Sequence, residues 1–170
     1  LLLISFTSHS QNFERIDFEA GGFVLAQVPT PDGNTIYART DVGGVYKKTG
    51  NSDWIFISEY AQTPAALMVQ AIDINPLNPD EIIAACGMDY LADDPGRGLW
   101  KSVDGGVSWV KILGQETGYP GGNHGGNLFR VKLGGPSARY HPSVPNRIIT
   151  GTLKNSSGHP EIYVSDDNGN

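Results

Sequence analysis

Three shortages bound this sequence of 170 residues before any motif is read. Cysteine occurs once, at Cys86, so no internal disulfide can staple the chain. Cys86 ends the apolar run Ile82-Ile83-Ala84-Ala85-Cys86, which predicts a small buried side chain rather than a reactive thiol. Basic residues are few: 12 lysines and arginines stand against 18 acidic residues, a net charge of −6, and they form no cluster. The electrostatic footprint of a nucleic-acid binder is therefore missing. Long apolar runs are missing too. The start, Leu1-Leu2-Leu3-Ile4-Ser5-Phe6, is too short to cross a bilayer, so no membrane partner is expected.

Metal and phosphate chemistry also lack their usual marks. His9, His124, His141 and His159 share no metal-ligand spacing. Asp89, Asp93 and Asp94 lack the alternation of a dedicated calcium loop and read as a solvated acidic loop. Gly121-Gly122-Asn123-His124-Gly125-Gly126 does not lead from a strand into a helix and is no phosphate loop. The expectation is no cofactor and no metal. At the N-terminus, Ser8 and Ser10 take the small-residue positions of a cleavage site before Gln11. Residues 1–10 are thus expected to be the second half of a secretory signal, with a buried first strand as the alternative, and the protein to be extracellular or periplasmic.

What the chain has in plenty is glycine, 22 residues, with 11 prolines, which suits many short strands joined by turns. It also repeats itself. Asn75-Pro76-Leu77-Asn78-Pro79-Asp80-Glu81-Ile82-Ile83 aligns with His141-Pro142-Ser143-Val144-Pro145-Asn146-Arg147-Ile148-Ile149. Leu99-Trp100-Lys101-Ser102-Val103-Asp104-Gly105-Gly106 aligns with Ile162-Tyr163-Val164-Ser165-Asp166-Asp167-Asn168-Gly169. A looser copy, Pro31–Ala38 and Val45–Gly50, precedes both.

Each unit parses as four strands. The first unit gives Phe23–Val28, Thr35–Thr40, Val45–Lys48 and Trp54–Ser58. The second gives Val69–Ile74, Glu81–Cys86, Leu99–Ser102 and Trp109–Leu113. The third begins with Leu128–Leu133 or Ala138–Tyr140, continues through Arg147–Thr152 and Glu161–Val164, and stops before its fourth. Four-stranded units at this period are the mark of an all-β propeller, with a β-sandwich as the alternative. The blades fall at about 20–60, 66–115 and 127–170, the last incomplete, too few to close a ring. Residues 11–170 are accordingly expected to be the N-terminal portion of a larger propeller. In a meander the connections sort onto two faces. The variable loops 41–44, 59–67, 88–98, 114–127 and 153–160 share one face, where function is expected.

Ser102, Asp104, Gly106 and Trp109 spell S-x-D-x-G-x-x-W, and Ser165, Asp167 and Gly169 begin a second copy. The carboxylate is suited to accept turn N–H groups, the glycines to take positive φ, and the tryptophan to anchor the exit. This resembles the Asp-box (BNR repeat) turn of sialidases and related propellers, where the aspartate is a structural fastener.

A more specific resemblance lies earlier. Gly21-Gly22-Phe23-Val24, then Tyr37-Ala38-Arg39-Thr40-Asp41-Val42-Gly43-Gly44-Val45-Tyr46, resembles the opening of glycoside hydrolase family 74, the xyloglucanases and related endo-β-1,4-glucanases. The likeness continues to Ser102 and the Asp-box turn and loosens after Leu113. It implies two seven-bladed propellers facing each other across a cleft, in a protein expected to be a monomer acting on β-glucan or xyloglucan with inversion. It places the general base on Asp41 and the general acid on the other propeller, outside this chain. Arg39, two residues before Asp41 and on the same side of a strand, is expected to help keep that carboxylate ionised. Tyr60, Tyr90, Tyr119 and His124 lie in loops where xyloglucan-binding relatives present tryptophans, and are the candidate substrate contacts. From the residues alone Asp41 reads first as a turn aspartate capping its own backbone, and it is the resemblance that makes it a site residue. The alternative function is a non-catalytic extracellular Asp-box propeller, sortilin-like or other, that binds glycan or protein.

Overall fold

A computed structural model describes residues 22–87, 94–114, 138–152 and 161–170. Strands β1 (Val24–Pro29), β2 (Thr35–Thr40), β3 (Val45–Thr49) and β4 (Ile55–Phe56) pair in chain order as a four-stranded antiparallel meander. Strands β5 (Val69–Ile74), β6 (Ile82–Cys86), β7 (Gly98–Ser102) and β8 (Val110–Leu113) form a second. A third sheet holds β9 (Ala138–Tyr140), β10 (Ile148–Thr152) and β11 (Glu161–Ser165). Of the two expected openings of the third unit, Ala138–Tyr140 is the strand observed, and 128–133 lies outside the described residues. Residues 1–10, with the expected signal, also lie outside them.

The middle sheet explains its own sequence. All five residues of β6 are buried. Ile82, Ala84 and Cys86, with Ile72 and Ile74, pack against Tyr37, Val45 and Ile57 of the first unit. Ile83 and Ala85, with Ala71 and Leu99, pack against Ala138, Tyr140 and Ile148 of the third. A strand covered on both faces reads as an unbroken apolar run rather than an alternation. Each isoleucine so buried contributes about 1.5–3 kcal/mol.

Two expectations are corrected at the edges. The strand expected over Trp54–Ser58 contracts to β4, two exposed residues on the outer edge of its sheet, although Ile57 N still donates to Val45 O at 2.9 Å. The expected loop 59–67 contains a short helix, α1 (Pro64–Leu67). Its N-cap Thr63 makes no capping bond of its own, and Asp94 supplies the acceptor instead, taking Ala65 N at 3.2 Å. Asp94 also accepts from Gly96 N at 2.7 Å and from the Thr63 hydroxyl. Asp94 is therefore a clasp between two loops rather than one charge in a solvated acidic loop, and these bonds hold its carboxyl below the usual range. Among the described residues no helix is long and apolar enough to cross a membrane.

The repeats superpose as contacts. Thr30 N, Asn75 N and His141 N each close the first turn of a unit, on Thr35 O, Glu81 O and Arg147 O at 2.8, 2.9 and 2.9 Å. Asn75 Oδ1 accepts from Leu77 N at 3.0 Å, and His141 Nδ1 takes the same part with Ser143 N and Val144 N at 3.1 and 2.9 Å. Between units, Lys47 Nζ donates to Gly105 O at 3.0 Å and Lys101 Nζ to Asn168 O at 2.8 Å, at equivalent places in the repeat.

Candidate functional site

The site is built where β1 begins and β2 ends. Asp41 follows β2 and heads the turn into β3. Thr40 closes that turn: its N–H donates to Gly44 O at 3.0 Å, and its hydroxyl accepts from Gly43 N at 2.7 Å. Gly44, at φ 82°, leaves no room for a side chain, since a Cβ would lie 2.9 Å from Phe56 and Ser58. Its N–H reaches Leu67 O at 2.9 Å and ties the turn to the end of α1. The Asp94 clasp on the far side of α1 extends the same rim to the loop before β7.

Asp41 is held from the opposite side by the other half of the motif. Phe23 N donates to Asp41 Oδ1 at 2.7 Å, and Asp41 N donates to Phe23 O at 3.1 Å. Gly22, at φ 86°, passes so close that a Cβ would strike Asp41 Oδ1. Gly22-Phe23 and Thr40-Asp41-Val42-Gly43-Gly44, far apart in sequence, are thus one unit in space. Asp41 keeps 9% of its surface exposed. Among the described residues its Oδ2 accepts no hydrogen bond, so one carboxylate oxygen is anchored and the other is available.

Arg39 does not take its expected place. It is buried at 7% exposure, and its Nη1 donates to Val69 O at 2.7 Å, across the boundary between the first two sheets. The expected alternation fails because β2 ends at Thr40 and Asp41 already belongs to the turn. Burial lowers the Arg39 pKa to about 10, which leaves it charged at neutral pH. Tyr60 is likewise a packing residue: its ring lies 4.7 Å from that of Trp100 and 4.9 Å from that of Trp109, with its hydroxyl 3.4 Å from Cys86 Sγ. Burial pushes the Cys86 thiol up to about 12, so it is inert at neutral pH. Tyr90, Tyr119 and His124 lie outside the described residues.

The turn between β7 and β8 lies at the other end of the strands. Asp104 Oδ1 accepts from Val107 N, Ser108 N and Ser102 Oγ at 3.0, 2.8 and 2.8 Å, and Oδ2 from Ser108 Oγ at 2.5 Å. The Ser108 hydroxyl and amide, chiefly, hold the Asp104 carboxyl at about 2. Ser102 Oγ accepts from Gly106 N, and Trp109 Nε1 donates to Ile57 O in the neighbouring sheet. Ser165, Asp167 and Gly169 repeat the serine contacts. Every oxygen of Asp104 is thus occupied by its own turn, whereas among the described residues only one oxygen of Asp41 accepts a hydrogen bond.

No protein-family model matches the chain. A xyloglucanase of Hypocrea jecorina (strain QM6a) is 30% identical over 94 residues, 52% of this chain and 11% of that protein. A xyloglucanase of a Paenibacillus species is 32% identical over 121 residues, 66% of this chain and 11% of that protein. The chain thus spans about a tenth of the length of these curated relatives. Among solved structures, the glycoside hydrolase family 74 enzyme of Niastella koreensis superposes with a TM-score of 0.66 at 25% identity, over 94% of this chain and 22% of that one. The chain is all-β, built of antiparallel four-stranded sheets as in the propellers it superposes on, and it resembles the xyloglucanases and glycoside hydrolase family 74 enzymes.

Proposed function

We propose that the complete protein carrying this chain is an extracellular glycoside hydrolase that cleaves a β-1,4-glucan of the xyloglucan class with inversion, and that Asp41 is its general base. The observation that carries this reading is the asymmetry of the Asp41 carboxylate. Oδ1 is fixed by Phe23 N at 2.7 Å, while Oδ2 accepts nothing among the described residues. The aspartate heads a turn on the variable-loop face, in a chain that resembles xyloglucanases.

In an inverting hydrolysis, a carboxylate takes a proton from water as its oxygen attacks the anomeric carbon. A second, protonated carboxyl about 6.5–9.5 Å away gives its proton to the departing sugar oxygen. Asp41 suits the first role, since an anchored carboxylate loses no orientation when the water binds. The second carboxyl belongs to another part of the protein, and this chain alone is proposed to hydrolyse nothing.

One observation favours a second reading. Capping Phe23 N is also what a purely structural turn aspartate does, so a non-catalytic glycan- or protein-binding propeller follows if that is its whole role. Asp41→Asn in the complete protein separates the two, because the amide oxygen still accepts from Phe23 N but cannot take a proton from water. The hydrolase reading expects kcat on xyloglucan to fall by about 10²–10⁴ with the melting temperature unchanged. Product anomers followed by NMR should show inversion in the parent. Full turnover by Asp41→Asn would leave the structural role alone standing.

A further inference from the structure

Phe23 is 73% exposed, although its own N–H and C=O are both bonded to Asp41. Val42, on the other side of the carboxylate, is 44% exposed. The two are held together through Gly22, whose missing side chain leaves space that Asp41 Oδ1 and Val42 Cγ2 fill. The carboxylate is therefore flanked by two apolar side chains turned outward on the loop face. Neither belongs to a described apolar cluster.

We propose that the Phe23 ring, with Val42 beside it, is the platform on which one sugar ring of the glucan chain lies next to Asp41. The inference rests on the hydrolase reading above. A β-linked glucopyranose has its hydroxyls around the ring equator and only C–H groups on its two faces. An exposed aromatic ring meets such a face by apolar contact and asks for no hydrogen bond. The backbone makes the placement rigid: the amide that orients the carboxylate is the amide of the stacking residue. Contact with the sugar and orientation of Asp41 are then set by one residue.

The test uses the complete protein carrying Asp41→Asn, whose turnover is expected to be too slow to matter during a titration, and titrates a xyloglucan oligosaccharide calorimetrically. Phe23→Ala should weaken binding about threefold to tenfold, the scale of one aromatic contact. Phe23→Tyr should restore it, and the melting temperature should stay level through the series. In the Asp41 parent, Phe23→Ala should raise KM more than it lowers kcat. Unchanged binding by Phe23→Ala together with a lowered melting temperature would overturn the proposal and make the ring a packing residue covered elsewhere in the protein. If Asp41→Asn with Phe23 intact binds neither xyloglucan nor cello-oligosaccharides, the hydrolase reading fails and the platform with it.

Discussion

Asp104 and Asp41 show how much a carboxylate's neighbours decide. Asp104 is exposed, yet it is saturated by hydroxyl and amide donors that favour its charged form. Its carboxyl is held at about 2 in the fold, below the ordinary aspartate value near 3.8. The sign follows: the stabilisation is complete above about pH 4 and is lost as pH falls through about 2, because the unfolded chain takes up the proton first. Melting temperature followed from pH 5 to pH 2 should therefore fall less steeply in Asp104→Asn than in the parent, whereas parallel curves would remove Asp104 from the acid response. The Val107 and Ser108 amides freed by Asp104→Ala are exposed to water, so that variant should cost only about 1 kcal/mol. His141 offers a parallel case. Its Nδ1 does the work of the Asn75 side-chain oxygen, so His141→Asn should keep the melting temperature while His141→Ala lowers it.

At the scale of elements, β2 and β5 run over the residues that alternation and turn punctuation mark, Thr35–Thr40 and Val69–Ile74. β2 lies inside its sheet, and β5, though an end strand, is buried along nearly its whole length against the first and third units, so pattern and burial agree. The exposed outer edge is where the sequence misleads. Trp54–Ser58 has strand-forming residues, but β4 has a partner on one side only, and two paired residues remain. The helix α1 was signalled by Thr63-Pro64, a capping residue before a proline at the first helical position. Four residues are too few to show a period. The acceptor that completes α1, Asp94, comes from another loop, and no local pattern encodes that. The same limit explains the site. The place of Asp41 at the head of a turn was legible because its motif is local, whereas Arg39 was misplaced because Asp41 lies beyond the end of β2, where strand alternation no longer sets which side chains are neighbours. Phe23 could be read only as part of a string, its outward ring only from the fold. The Asp94 clasp gives a direct check: Asp94→Ala should speed hydrogen exchange at Ala65 and Gly96 while leaving amides of β6 unchanged.

At the scale of the molecule, the sheets are joined by a repeated device rather than by apolar contact alone. A lysine of a unit's third strand, at the same place in the repeat, reaches into the Asp-bearing turn of the next unit: Lys47 to Gly105 O, Lys101 to Asn168 O. In the same turns Gly106 and Gly169 lie against Ile57 and Ile112, where a Cβ would be 2.5 Å from each isoleucine Cδ1. Each turn thus meets an isoleucine from the end of the preceding unit as well as that unit's lysine. Lys101 is the more committed of the two. It is 5% exposed, burial lowers its pKa, and Glu81 and Asp167 act against that shift. Replacing Lys101 with methionine keeps the stem packed but takes the charged donor from a part-buried carbonyl, at a cost of about 1.5–3 kcal/mol. Lys47 lies in a more open position, where water can replace the ammonium, and Lys47→Met should cost less. The two clasps join different pairs of sheets and share no partner, so the double variant should equal the sum of the singles within about 0.5 kcal/mol. Denaturant titration of the four proteins measures this. Additivity would mean that each boundary between sheets contributes its own increment to stability, as in other repeat architectures; a double variant no worse than Lys101→Met would mean that one boundary already limits the whole array.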